Sequence, residues 1–247
     1  MVTVVSGKLG SGKSFDCVRR IAEHVAMGGC VRTNISLDYR AIGRAVGRRV
    51  SPQQVGPLSA EDDPATIPTG DRRGHGTRRT LVVLDEALNW FQSEGKASLD
   101  ERKRAWGEWL RQSDKLGQDV WFIAQNFERA AKWIRELAQV AREVVALRDV
   151  HVLWVVPLWL LVPPIRHAYA VLCWDVRSKA RIGAEVHLYR ARIWQLYDTS
   201  ETFGFVGARS AYDGLSLPPA YHPPIEVPAA CLALLALAFC AAAISMC

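Results

Sequence analysis

Gly7-Lys8-Leu9-Gly10-Ser11-Gly12-Lys13-Ser14 stands between the apolar run Val2-Thr3-Val4-Val5 and a stretch, Ser14 to Met27, whose apolar residues recur at helical spacing and stop at Gly28-Gly29. Strand, glycine-rich turn and helix is the setting in which G-x-x-x-x-G-K-[ST] cradles phosphate. The glycines let backbone N–H groups turn inward at the start of a helix, where the dipole favours an anion. Lys13 is placed to lie against the β and γ phosphates, and the Ser14 hydroxyl to bind Mg2+. The expected nucleotide contacts are therefore Gly7, Lys8, Leu9, Gly10, Ser11, Gly12, Lys13, Ser14 and the following Phe15, with ATP and Mg2+ as cofactors.

Outward from the loop, β-like and α-like segments alternate. Cys30 to Ile35 reads as a second strand, and residues 51–79, rich in Pro, Gly and charge, as a long mobile polar insertion. Arg79 to Leu84 is a short apolar run ending in Asp85-Glu86, as expected of a parallel strand buried on both faces. A charged helical stretch covers Leu99 to Leu116, another buried strand Asp119 to Gln125, and an amphipathic helix about Phe127 to Arg142. Ala168 to Val176 and Ala184 to Ile193 flank a turn-like Arg177-Ser178-Lys179-Ala180-Arg181 and read as a hairpin. The pattern predicts an α/β fold: a P-loop NTPase whose mostly parallel sheet is flanked by helices and extended by an antiparallel hairpin.

A phosphate-binding loop needs a carboxylate on a neighbouring strand tip to hold magnesium, which assigns Asp85 as the second metal ligand beside Ser14. Glu86 is then the general base for the attacking water. Read alone, Asp-Glu after a strand also fits favourable charge at a helix N-terminus. Gln125 and Asn126 end the next strand and are expected at the same sheet edge, to sense the γ-phosphate or orient water; an ordinary polar loop is the other reading. Arg111 and Arg135 are candidates for an arginine that stabilises transition-state charge across a subunit boundary, or for a solvated face.

The 247 residues are 49% hydrophobic and 23% charged, which excludes disorder, collagen and a small disulfide scaffold. A net charge of +6 suits anionic partners without selecting one. The pairs Arg48-Arg49, Arg72-Arg73 and Arg78-Arg79 fit either solvated faces or contacts to DNA or anionic lipid. Six cysteines without CxxC spacing read as reduced packing thiols. Met1 leads directly into the first strand without a secretory signal, which places the main domain, residues 1–215, in the cytoplasm. A proline-rich linker, 216–228, precedes Ala229 to Cys247, an uncharged stretch expected as a C-terminal transmembrane helix, with a buried apolar helix as the alternative. The apolar segment 152–165, broken by Pro157, Pro163 and Pro164, fits a core strand with a loop or an interfacial segment on the membrane.

With these motifs in order, the sequence resembles the zonula occludens toxin (Zot) family, which includes the gene I assembly proteins of filamentous bacteriophages. The resemblance rests on the P-loop, Thr33-Asn34-Ile35, Leu84-Asp85-Glu86-Ala87, Phe122-Ile123-Ala124-Gln125-Asn126, Ile134-Arg135 and Tyr197-Asp198-Thr199. It implies an inner-membrane ATPase that drives virion secretion, transferring coat protein onto single-stranded phage DNA as it leaves. It also implies a homo-oligomer, the hexameric ring of FtsK- and HerA-like motors; contact with an outer-membrane exit pore would need another protein or a further C-terminal tail. An FtsK/HerA-like translocase or packaging motor on duplex DNA is the enzymatic alternative. A membrane or toxin factor with a vestigial P-loop is the non-catalytic one.

Overall fold

In the computed structural model, the described residues are 1–59, 61–72, 79–86, 97–128, 130, 132–152, 156–157 and 166–197. Two compact units divide the chain, residues 1–146 with 169–204 and residues 147–168 with 205–247.

The first unit is built on an eight-stranded sheet. Its strands are β1 (Val2–Ser6), β2 (Val31–Thr33), β3 (Val55–Pro57), β4 (Thr80–Asp85), β5 (Gln118–Ile123), β6 (Val140–Ala146), β9 (Ala168–Asp175) and β10 (Arg181–Leu188). In space they run β10-β9-β6-β1-β5-β4-β2-β3. All pairings from β6 to β3 are parallel, and β9 joins β6 antiparallel with Ala141 opposite Trp174. The short turn from β9 to β10 makes that pair a hairpin.

Burial on both faces explains why the central strands are mostly apolar. Val2, Val4, Val82, Leu84, Val120 and Phe122 face one way, packing with Trp106, Trp109 and Leu110 of α3 (Ala97–Gln112) and Ile134 of α4 (Lys132–Leu137). Val5, Leu81, Val83, Trp121 and Ile123 face the other, against Val18, Ile21, Ala22 and Val25 of α1 (Lys13–Ala26) and Ala41 and Ile42 of α2 (Tyr39–Val46). The i, i+3, i+4, i+7 spacing of the four α1 residues is what makes this helix a lid on the sheet. α2 starts where Asp38 accepts hydrogen bonds from the backbone N–H groups of Arg40 and Ala41. A short α5 (Ala191–Trp194) follows β10.

Two expectations are corrected. The helix expected over Phe127 to Arg142 is only α4, and Val140 to Ala146 instead forms β6, beside β1. Hydrogen bonds tie that register down, Gln139 N–H to Val2 O at 2.9 Å among them. The β-branched Val140, Val144 and Val145 suit the pleated slot, and tertiary pairing overrides the helical reading. The stretch 51–79 is not simply an insertion, because Val55–Pro57 adds edge strand β3 and Pro64–Thr66 a 3-10 turn capped by Asp63. A proline is tolerated there because an edge strand needs no donor on its outer side.

In the second unit, β7 (His151–Val152) and β8 (Val156–Pro157) pair antiparallel, within the apolar segment expected at 152–165. The remainder of that segment, the linker and the stretch expected to span a membrane lie outside the described residues. Among the described residues, no helix is long and apolar enough to cross a membrane.

Candidate nucleotide site

β1 ends at Ser6 and the chain turns through the glycine-rich loop into α1. Gly7 must be glycine, since a Cβ there would stand 2.4 Å from the Val144 carbonyl oxygen of the neighbouring β6. Gly12, the residue before α1, has φ 92°, a left-handed conformation, and an added Cβ would come within 2.8 Å of the Tyr189 ring. Among the described residues, no side chain caps α1 at Gly12. The helix therefore begins with its N–H groups directed at the loop, the arrangement that binds anions.

Inside this turn, Lys13 Nζ donates to the carbonyl oxygens of Gly7 at 2.9 Å and Lys8 at 3.0 Å. Burial pulls its pKa below that of an ordinary lysine, while the charges of Asp85 and Glu86 work in the opposite direction. Ser14 Oγ donates to Asp85 Oδ2 at 2.9 Å, joining the helix start to the tip of β4. Asp85 is 7% exposed, and this burial raises its pKa against the opposing Ser14 hydrogen bond and Lys13 charge. Glu86, next along, holds φ 48°, unusual for a residue with a side chain. A hydroxyl and a carboxylate oxygen side by side form a hard-cation donor set.

The tip of β4 is held in place by Asn34. β2 stops at Thr33, and the Asn34 carboxamide continues the ladder by one rung: Nδ2 donates to Asp85 O and Asp85 N–H donates to Asn34 Oδ1, both at 2.7 Å. The side-chain amide thus replaces a peptide group.

Behind the loop, Asp16 of α1 is completely buried. Its Oδ1 accepts from Arg19 Nη2 at 2.9 Å and from Tyr169 Oη at 3.1 Å, and Arg142 of β6 stands 3.6 Å from Oδ2. Arg142 also lies 5.0 Å over the Trp121 ring. Two more residues come to the site from far along the chain. Tyr189 Oη donates to Ser11 O at 2.9 Å, and Tyr197 lies close enough to Asp85 that the carboxylate adds to the upward shift burial gives its phenol.

The structure thus gathers Gly7 to Phe15, Asp85 and Glu86 in one place. Gln125 and Asn126 are exposed just beyond β5, where Asn126 Oδ1 accepts from Glu128 N–H at 2.9 Å and closes a turn. Arg111 is exposed near the end of α3, and Arg135 is half-buried in α4 with a buried Nε that finds no hydrogen-bond partner among the described residues. Asn34, Asp16, Tyr189 and Tyr197 gained no role from spacing; only Asn34 and Tyr197 stand within motifs of the resemblance, which assigns neither a task.

A glycine-rich turn after the first strand of a mixed α/β sheet, facing a carboxylate at the tip of a strand two positions away, defines the class of this domain as α/β with helices on both faces of the sheet. Residues 1–151 match the family model described as zonular occludens toxin (Zot), and the chain belongs to that family. It is 33% identical over 138 residues to the Gene 1 protein of Enterobacteria phage I2-2, covering 55% of this chain and 37% of that protein. The Gene 1 protein of Salmonella phage IKe is 31% identical over 138 residues, with the same coverage. The chain thus spans well under half the length of these curated relatives. Among solved structures, the N-terminal domain of zonular occludens toxin from Neisseria meningitidis is similar over 80% of this chain and 98% of that one, at 15% identity and TM-score 0.47.

Proposed function

We propose that this chain is an ATP-hydrolysing motor of phage assembly, anchored in the host inner membrane by residues 229–247, with the P-loop domain on the cytoplasmic side. The observation that carries the enzymatic part is the Ser14–Asp85 hydrogen bond of 2.9 Å, because it brings a magnesium-type donor pair beside the loop that holds the Lys13 ammonium. Membership of the Zot family and similarity to phage Gene 1 proteins support the biological role.

In this reading the turns of the loop direct N–H groups at the phosphates, and Lys13 exchanges its two carbonyl partners for phosphate oxygens, stronger acceptors because they are charged. Ser14 and Asp85 would hold Mg2+, which when bound supplies positive charge against the phosphates. Glu86 takes the proton of the attacking water, and Asn34 keeps the strand tip carrying both carboxylates in register. Gln125 and Asn126 serve as γ-phosphate sensors, and Arg111 or Arg135 reaches the site of an adjacent subunit in a hexameric ring. The work done is transfer of coat protein onto single-stranded DNA, with the exit pore contacted through another protein.

The test is nucleotide turnover by the purified full chain. Wild type hydrolyses ATP, Lys13→Ala neither binds nor hydrolyses it, and Glu86→Gln binds it without turnover. Normal hydrolysis by Lys13→Ala refutes the assignment. Turnover stimulated by duplex DNA without any coat protein favours the translocase alternative.

A further inference from the structure

The loop accounts for the phosphates of a nucleotide but leaves its base unassigned. Residues 189–197 cross the outside of the first turn of α1. At one end Tyr189 is bonded to the Ser11 carbonyl, and at the other Asp38 N–H donates to Leu196 O at 2.8 Å and Tyr197 bridges to Leu37. Between these anchors sits Trp194. Its ring centroid lies 4.9 Å from that of Phe15, the residue after Ser14, and it stacks on Tyr197 at 5.8 Å and an interplanar angle of 22°. Phe15 and Tyr197 are buried, whereas Trp194 is 46% exposed. An indole backed by two rings, one of them the residue that follows Ser14, and itself half-exposed, is a ready-made stacking surface for a flat heteroaromatic ring.

We propose that Trp194, backed by Tyr197 and Phe15, is the platform on which the purine base of the bound nucleoside triphosphate stacks. The inference rests on the loop binding nucleotide. With the terminal phosphate toward Lys13 and Asp85, the sugar and base leave over the first turn of α1, where the indole waits. Tyr189 acts as a positioning residue, tying this segment to the loop so that base and phosphate subsites keep a fixed separation. A purine fits better than a pyrimidine because its two fused rings overlap more of the indole.

Binding of ATP, UTP and inorganic tripolyphosphate, each with Mg2+, to the full chain separates base from phosphate recognition. Stacking on one aromatic is sufficient for Trp194→Ala to weaken ATP by about tenfold or more, while tripolyphosphate binds as before. Trp194→Phe, a smaller ring that preserves the packing, gives an intermediate loss for ATP alone and narrows the preference for ATP over UTP. Equal weakening of ATP and tripolyphosphate, or unchanged ATP binding in both variants, overturns the platform. Lys13→Ala marks the other failure: if it binds tripolyphosphate and ATP like wild type, the nucleotide site itself is elsewhere. Loss of both ligands in Lys13→Ala with ATP retained in the Trp194 variants removes only the platform.

Discussion

Replacing Asn34 by alanine tests whether one carboxamide holds the strand tip that carries Asp85 and Glu86. The substitution deletes two hydrogen bonds of 2.7 Å and leaves the N–H and C=O of Asp85 without their partner on the β2 side, at a residue only 7% exposed. Each bond is worth about 0.5–1.5 kcal/mol net, and a buried polar group left unpaired costs about 1–3 kcal/mol. Water can reach part of a strand end, so the sum falls near the lower bounds, about 2–3 kcal/mol. For a chain of this size that lowers Tm by about 5–10 °C. Turnover falls further than stability alone dictates, because the carboxyl groups of Asp85 and Glu86 lose their fixed position. Asn34→Asp is expected to be as damaging, since a carboxylate oxygen then faces the Asp85 carbonyl where an N–H stood. Thermal unfolding and ATP turnover of the full-length variants, compared at a temperature where all are folded, give the readout. An Asn34→Ala protein with wild-type Tm and wild-type turnover would refute the role of the amide rung.

Other perturbations have equally definite outcomes. Gly12→Ala places a methyl group against the Tyr189 ring at a left-handed φ, so ATP binding is lost; pairing it with Tyr189→Ala removes the collision but not the backbone strain and restores binding only in part. Asp16→Ala strips the shared acceptor from Arg19, Tyr169 and Arg142 and destabilises by about 3–5 kcal/mol as a broken buried pair, whereas Tyr169→Phe costs about 1 kcal/mol; urea unfolding distinguishes them. His24 is buried with its pKa lowered, mainly by desolvation, and its Nε2 lies 2.9 Å from the Arg79 carbonyl oxygen. The unfolded chain therefore binds the proton more readily, so stability is highest above pH 6.5 and declines as pH falls below it. Denaturant midpoints at pH 7.5 and 5.5 show this decline, and His24→Gln reduces it.

The parts of the fold legible in sequence are those where local pattern and tertiary role agree. Val4-Val5, Leu81 to Leu84 and Val120 to Ile123 are apolar because both sheet faces are covered, and the turn-like Arg177 to Arg181 announces the hairpin, although β10 already begins at Arg181 rather than Ala184. β6 is hidden because Ala141, Arg142 and Glu143 are compatible with a helix, and only the vacant place beside β1 makes them a strand. β3 is hidden by its brevity and by Gly56 and Pro57. Within the site, Lys13, Ser14, Asp85 and Glu86 are local to two motifs and could be read directly. Asn34 acts through a side chain imitating backbone, and Tyr189 meets Ser11 across 178 positions of sequence. No periodicity records such contacts, because they depend on where the sheet order places β2 beside β4 and where β10 ends.

In the proposed role, nucleotide hydrolysis at the Lys13–Asp85 site drives phage assembly. Its most direct test is virion release from host cells carrying the phage genome with this gene deleted, complemented by wild type or by Lys13→Ala at matched protein levels. Wild type is expected to restore release and Lys13→Ala to fail. Equal restoration by both would contradict it and give the lead to a non-catalytic role.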